Sequence, residues 1–312
     1  KWINIIFRTD EVLEELEQKT IKLGELFEAS RGNYKYAIWA LSHGRRPDIG
    51  AKSFFYLTEE RAKMLGLMDY AYPAITSARY ARWFTFTKED WEALRERGAP
   101  CYFFMCHKPR EELPDNVREY IRWGEPICPE CGSGNIEPVE APEFRCRDCG
   151  ALFEKCITQI RGTRGGGRVC SQALACQERE KQKEHFYGWY DLGGVEEAPI
   201  MAIYQSQYKT RFFWCMTPLV TYHAIITFIP KATLNEAQLK ALLAYLNSSF
   251  TQLYIESRAR ITGLGLACLE ATHAQEIPVI DPRELAGRAV EELASLFDRL
   301  EREARRLGGA DR

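Results

Sequence analysis

The sequence contains no run of about 18 apolar residues, so no segment of it reads as a membrane-spanning helix, and no membrane partner is expected. Positive charge is not in excess either. Lys and Arg number 42 against 44 Asp and Glu, giving a formal net charge of −2 over 312 residues. That balance excludes a uniform polyanion-binding coat, but it leaves room for one basic face offset by acidic helices elsewhere. Phosphate-loop fingerprints are missing. Gly263-Leu-Gly265 follows no clear strand of a βαβ unit, and Arg164-Gly-Gly-Gly-Arg168 lacks the Lys-Ser/Thr of a P-loop. Glu17-Gln-Lys19 is a bare Glu-x-Lys on an acidic stretch and reads as solvated surface. There is no internal repeat and no leader pattern. The opening Lys1-Trp2-Ile3-Asn4 carries no initiator Met and reads as a fragment boundary. With 46% hydrophobic and 28% charged residues, the expectation is a soluble globular chain.

Cysteine, by contrast, is abundant, with 11 in all. Four of them form two knuckles: Cys128-Pro-Glu-Cys131-Gly and, after 14 intervening residues, Cys146-Arg-Asp-Cys149-Gly. Each C-x-x-C turn presents two thiolates on one side, and the following Gly permits positive φ. Two knuckles make a closed tetrahedral S₄ site, which suits a structural Zn²⁺ and leaves no open position for catalysis. The ribbon reads as a staple for an insertion too small to hold its own core; direct contact with a partner is the alternative. Cys101, Cys106, Cys156, Cys170, Cys176, Cys215 and Cys268 mostly sit among apolar neighbours and read as buried thiols. A second metal site from Cys156, Cys170, Cys176 and His185 has irregular spacing, and Cys106-His107 has no evident orienting residue for nucleophilic work.

Strand signals at 54–57, 82–86, 101–105 and between 186 and 229 mix with helical patterns at 10–19, 58–67, 88–97, 115–123, 235–256 and 284–307. Lack of regular alternation predicts an α+β fold. In the last helix Val290, Leu293, Phe297, Leu300, Ala304 and Leu307 form a narrow apolar seam. It packs on its own domain, or docks on another domain or a second copy.

A series of short segments carries a family resemblance. Leu242-Leu-Ala-Tyr-Leu-Asn247-Ser-Ser-Phe250 is followed by Arg260-Ile-Thr-Gly263-Leu-Gly265-Leu, Leu269-Glu270 and Glu276-Ile-Pro278-Val-Ile-Asp281-Pro282. Leu23-Gly-Glu-Leu, Arg31-Gly32, Gly50-Ala51-Lys-Ser-Phe54-Phe55-Tyr56-Leu57 and Trp189-Tyr190 stand in the same order before them. Over residues 20–285 this resembles the TaqI-type C-terminal specificity domain, or target recognition domain, of adenine-N6 DNA methyltransferases and fused restriction–modification enzymes. At 185–189 the chain reads His185-Phe-Tyr-Gly-Trp189 where the family usually keeps an Arg before the Trp-Tyr pair, so no contact is transferred to position 185. The four-Cys ribbon stands as an insertion.

The resemblance implies double-stranded DNA as partner, together with a catalytic methyltransferase domain of the same parent chain. The tetrapeptide Asn/Asp-Pro-Pro-Tyr/Phe and the Gly-rich S-adenosylmethionine turn are absent here. Catalytic residues are therefore expected to be none, with S-adenosylmethionine bound only by the missing domain. The expected boundaries are a linker helix at 1–19, the recognition domain at 20–125 and 156–283, the zinc ribbon at 126–155 and the C-terminal helix at 284–312. Basic residues on Gly- and aromatic-rich loops are the expected DNA contacts: Arg31, Lys35, Arg45, Arg46 and Lys52, then Arg161, Arg164 and Arg168. Two other readings stay open, a zinc-ribbon module that binds proteins and a nuclease-type enzyme.

Overall fold

The structure is a computed structural model that describes residues 19–31, 54–123, 198–206, 209–221, 224–261 and 267–309, most of 128–154, and residues 158–159, 168–169 and 190. The linker helix expected at 1–19 lies almost wholly outside the described residues. The fold is mixed α and β, with several small sheets. Two units divide the chain. The first takes its residues from Lys1–Gly32, Ser77–Glu92 and Glu196–Arg312, the second from Asn33–Thr76 and Ala93–Val195. Among the described residues no helix is long and apolar enough to cross a membrane.

Continuous apolar runs make the main sheet of the first unit. Ile200–Ile203 is buried throughout and pairs antiparallel with Phe212–Cys215 on one side and Ile225–Pro230 on the other. Phe27–Arg31 adds to Ile225–Pro230 antiparallel, and Thr85–Phe86 joins Phe212–Cys215 parallel. One face of the sheet is covered by a core that includes Phe212, Phe228, Leu242, Leu246 and Phe297. Each such fully buried large apolar side chain contributes roughly 1.5–3 kcal/mol.

The helical pattern at 235–256 divides into two helices, Glu236–Leu246 and Ser249–Arg258. Asn247 is the cause. Its Oδ1 accepts from the Phe212 N–H at 3.0 Å, while its Nδ2 donates to the Phe212 carbonyl at 2.9 Å and to the Leu243 carbonyl at 2.8 Å. The side-chain amide thus substitutes for a strand partner and closes the preceding helix at once. Ser248 then accepts from the Thr251 N–H as the next N-cap, as Asn235 does from Gln238 at the start of the first helix.

The two ends of this unit meet. Ile21–Lys22 pairs antiparallel with Pro278–Val279, and the helical turn Leu23–Leu26 follows directly. A Cβ on Gly24 would stand 3.0 Å from the Gln275 carbonyl oxygen, closer than side chains ordinarily pack, so glycine eases this approach. The C-terminal helix Gly287–Leu307 buries Val290, Ala294, Phe297 and Ala304, and Gly308 ends it at φ +76°. Of the expected seam, Leu300 packs on the core while Leu307 is exposed. Glu301 accepts from the backbone N–H groups of Phe84 and Thr85 at 2.8 and 3.1 Å. Arg305 forks onto Asp90 at 3.0 and 2.8 Å, with its guanidinium 4.5 Å from the Trp83 ring.

In the second unit Tyr102–Phe104 pairs antiparallel with Tyr56–Leu57 and with Ala71–Ile75. Its core is aromatic: Phe54 stacks on Tyr120 at 4.8 Å and Phe55 on Phe103 at 5.5 Å. Thr58 caps the helix Glu59–Met64, whose C-terminal end is held by Asn116 Nδ2 donating to the carbonyls of Leu65 and Gly66.

Two stability predictions follow from the first unit. Asn247→Ala leaves the N–H and carbonyl of fully buried Phe212 without partners, at about 1–3 kcal/mol each. Urea unfolding is expected to show a loss of about 2–4 kcal/mol, with Asn247→Asp also destabilising because it sets a carboxylate against two carbonyls. Burial raises the Asp90 pKa, but Arg305 and Thr87 together outweigh it and the net shift is downward. The stabilisation is therefore present above the ordinary Asp value of about 3.9 and lost as pH falls through the lower folded value. Because Arg305 is partly exposed, Asp90→Asn is expected to cost only about 1–2 kcal/mol at neutral pH and to flatten the acid limb of a stability–pH curve.

Candidate metal centre and basic corner

The four knuckle cysteines converge. Three short antiparallel strands, Ile136–Pro138, Glu143–Cys146 and Leu152–Glu154, form a meander in the second unit, with Glu143–Cys146 in the middle. The second knuckle lies in the turn between the last two strands, where Gly150 takes φ +76° and its N–H donates to the Cys146 carbonyl at 2.8 Å. The first knuckle is bound to it through the Arg147 N–H, which donates to the Asn135 carbonyl at 2.9 Å. Asp148 accepts from Ser133 and from Asn135 Nδ2, which keeps its carboxyl below the usual range.

The Sγ atoms of Cys128, Cys131, Cys146 and Cys149 all lie within 4.8 Å of one another. Cys128 and Cys149 stand 3.6 Å apart, as do Cys131 and Cys146. A tetrahedral ion with metal–sulfur bonds of about 2.3 Å requires sulfur–sulfur edges of about 3.8 Å, so the quartet fits one. The donor set is all thiolate, which selects a soft ion over Mg²⁺ or Ca²⁺. Backbone N–H groups of Cys149 and Asp148 pointed at Cys146 bring its thiol down to about 7, easing deprotonation. Cys101, Cys106, Cys215 and Cys268 are buried, as their apolar surroundings in the sequence led one to expect. Burial pushes the Cys215 thiol up to about 12. Cys156, Cys170, Cys176 and His185 lie outside the described residues.

Of the expected DNA contacts, Arg31 is the one whose side chain is described. It ends the strand Phe27–Arg31, and its guanidinium lies 3.5 Å from the centroid of the Tyr204 ring. Lys35, Arg45, Arg46, Lys52, Arg161 and Arg164 lie outside the described residues. Arg168 opens a two-residue strand that pairs antiparallel with Thr158–Gln159, so the residues flanking the Gly-rich run are brought side by side. Beside Arg31 stand residues that sequence reasoning did not single out as contacts. Tyr204 Oη donates to Glu270 Oε1 at 2.7 Å, and Arg260 Nη2 lies 3.1 Å from the same oxygen. Burial, then the bond to Glu270, pushes the Tyr204 hydroxyl up to about 12, which keeps it a donor. Arg260 and Glu270 were visible in the sequence as flanks of the Gly263-Leu-Gly265 segment, but Tyr204 carried no signal there. Tyr190 is buried, with Oη donating to the Lys108 carbonyl at 2.9 Å, so it serves packing.

Comparison with known proteins bears on the second unit most directly. Residues 49–127, about a quarter of the chain, match the family model for the C-terminal domain of the type II methyltransferase M.Eco57I. That stretch is therefore similar to the C-terminal part of a type II methyltransferase, the kind of domain whose motifs the sequence resembles. No curated protein sequence matches the chain. Among solved structures, the type IIG restriction endonuclease BpuSI aligns with 92% of this chain and 28% of its own, at 13% identity and a TM-score of 0.45. The chain spans well under half the length of that enzyme.

The cysteine geometry generates a direct expectation. Native mass spectrometry is expected to find one divalent ion per chain, released by acid as the thiolates protonate. Cys149→Ser is expected to abolish retention of the ion through a desalting column. Retention of a full equivalent by that variant contradicts a four-thiolate centre.

Proposed function

We propose that this chain is the DNA sequence-recognition part of an adenine-N6 methyltransferase of the restriction–modification type. It holds duplex DNA so that a separate S-adenosylmethionine-dependent domain of the same parent chain can methylate a flipped adenine. The observation that carries this reading is the match of residues 49–127 to a type II methyltransferase C-terminal domain. The ordered segments from Leu23 to Pro282 support it on both sides of that stretch.

In this reading Arg31, Lys35, Arg45, Arg46, Lys52, Arg161, Arg164 and Arg168 supply the DNA contacts. Phosphate contacts fix register, and a few side chains read base edges in the major groove. Zn²⁺ in the Cys128, Cys131, Cys146 and Cys149 site is structural, because four thiolates leave no position for water or substrate. The domain scheme keeps the ribbon as an insertion at 126–155 between two parts of the recognition domain. A second reading, a ribbon that binds another protein, is favoured by one observation: Val139 and Leu152 on the ribbon are 47% and 56% exposed.

The test is selection of the zinc-loaded chain against a randomised duplex library, with affinity followed against salt. A recovered sequence motif is expected, with a slope of several released counterions. Arg45→Ala and Arg164→Ala are then expected to separate loss of base preference from uniform loss of affinity. Absence of binding at about 50 mM salt overturns the reading of this chain as a DNA reader in its own right and leaves a domain that grips DNA only together with its catalytic half, or the protein-binding ribbon.

A further inference from the structure

Two connections of the first unit begin at one tyrosine. The strand Phe27–Arg31 ends on Arg31, whose guanidinium lies over the Tyr204 ring, and the sequence runs on through Gly32 toward Lys35 and Arg45. The strand Arg260–Ile261 begins on Arg260, and the sequence runs on to Gly263 and Gly265. Tyr204 and Glu270 form the floor, with Tyr204 only 4% exposed. Arg260, by contrast, keeps 64% of its side chain exposed.

The bonding at Arg260 is one-sided. Its contacts to Glu270 Oε1 and Tyr204 Oη, at 3.1 and 3.5 Å, both use Nη2. A guanidinium has five N–H donors in a planar fork, so among the described residues Nε and Nη1 remain for a second acceptor. Glu270 is itself held, because Tyr204 donates to the same oxygen at 2.7 Å and the Leu269 N–H donates to the Tyr204 carbonyl at 2.9 Å. This is a fixed, half-occupied fork on an exposed edge, which suits an oxyanion with several acceptors.

We propose that Arg260 grips a backbone phosphate of duplex DNA, with Glu270 and Tyr204 as positioning residues. The proposal rests on the DNA-recognition reading and adds to it a contact outside the basic loops.

The test uses the full chain and two duplexes of unrelated sequence, with affinity measured from low to moderate salt. Arg288→Met, on the exposed face of the C-terminal helix, serves as a control for loss of one positive charge. Arg260→Met is expected to weaken binding about fivefold or more on both duplexes and to lower the salt slope by about 0.9, one phosphate contact, while Arg288→Met does neither. Glu270→Gln makes the chain more positive, yet it is expected to weaken binding because it loosens Arg260. A tighter-binding Glu270→Gln overturns the positioning role. Equal effects of Arg260→Met and Arg288→Met, with wild type bound, overturn the contact and leave the DNA-recognition reading standing. Wild type that binds neither duplex overturns both. Should Arg260→Met fail to fold, Arg260→Lys is expected to keep the slope and lose affinity, and wild-type affinity there overturns the proposal.

Discussion

The side-chain amide of Asn247 fixes more of the first unit than any other single group. It satisfies both backbone groups of Phe212 and also closes the helix Glu236–Leu246 on Leu243. An apolar residue there leaves buried polar groups at the seam between sheet and helix, which costs more than any one methyl group packed nearby contributes. The break it imposes redirects the chain into Ser249–Arg258, and that helix ends on Ala259, immediately before Arg260. The position of Arg260 beside Tyr204 and Glu270 is thus set by an amide 13 residues earlier in the sequence. A residue that touches no ligand determines where a candidate contact stands.

Net charge and local charge tell different stories in this chain. Many cations on the helices are matched by carboxylates on their own or a neighbouring helix: Arg288 with Glu292, Arg306 with Glu303, Lys240 with Glu236 and Asp298. Exposed pairs of this kind stabilise little, typically 0–1 kcal/mol, so their main effect is to cancel long-range field. The overall charge of −2 then says little about a nucleic-acid interface. What matters is where a cation keeps donors open to solvent, as Arg260 does beside Glu270 with 64% of its side chain exposed.

The legibility of the sequence follows from how local each cause is. The cysteine quartet was readable because C-x-x-C spacing and the following glycine specify one turn each. The helices Lys88–Glu96 and Asp115–Trp123 were readable from period and flanking residues. The break at Asn247 was not, because apolar residues at 239, 242, 246, 250 and 254 continue a helical spacing straight across it. Phe250, which fits that spacing, is 53% exposed. Gly24 and the segment around Pro278 were noticed only through family resemblance; their cause is a close approach between residues some 250 positions apart. Tyr204 and Glu270 are separated by 66 residues, and nothing in either neighbourhood announces the other.

The ribbon shows the same logic at its smallest scale. Its strands have only three or four residues each, and Val139 and Leu152 stay exposed, so apolar burial cannot hold it closed. Hydrogen bonds between the knuckles orient the turns, but each contributes only about 1 kcal/mol net. An ion shared by four thiolates supplies about 10 kcal/mol or more in small metal-folded domains. An ion held by this quartet would outweigh those hydrogen bonds in closing the ribbon. It would also explain why a piece with almost no core of its own can carry a defined surface, whatever partner that surface meets.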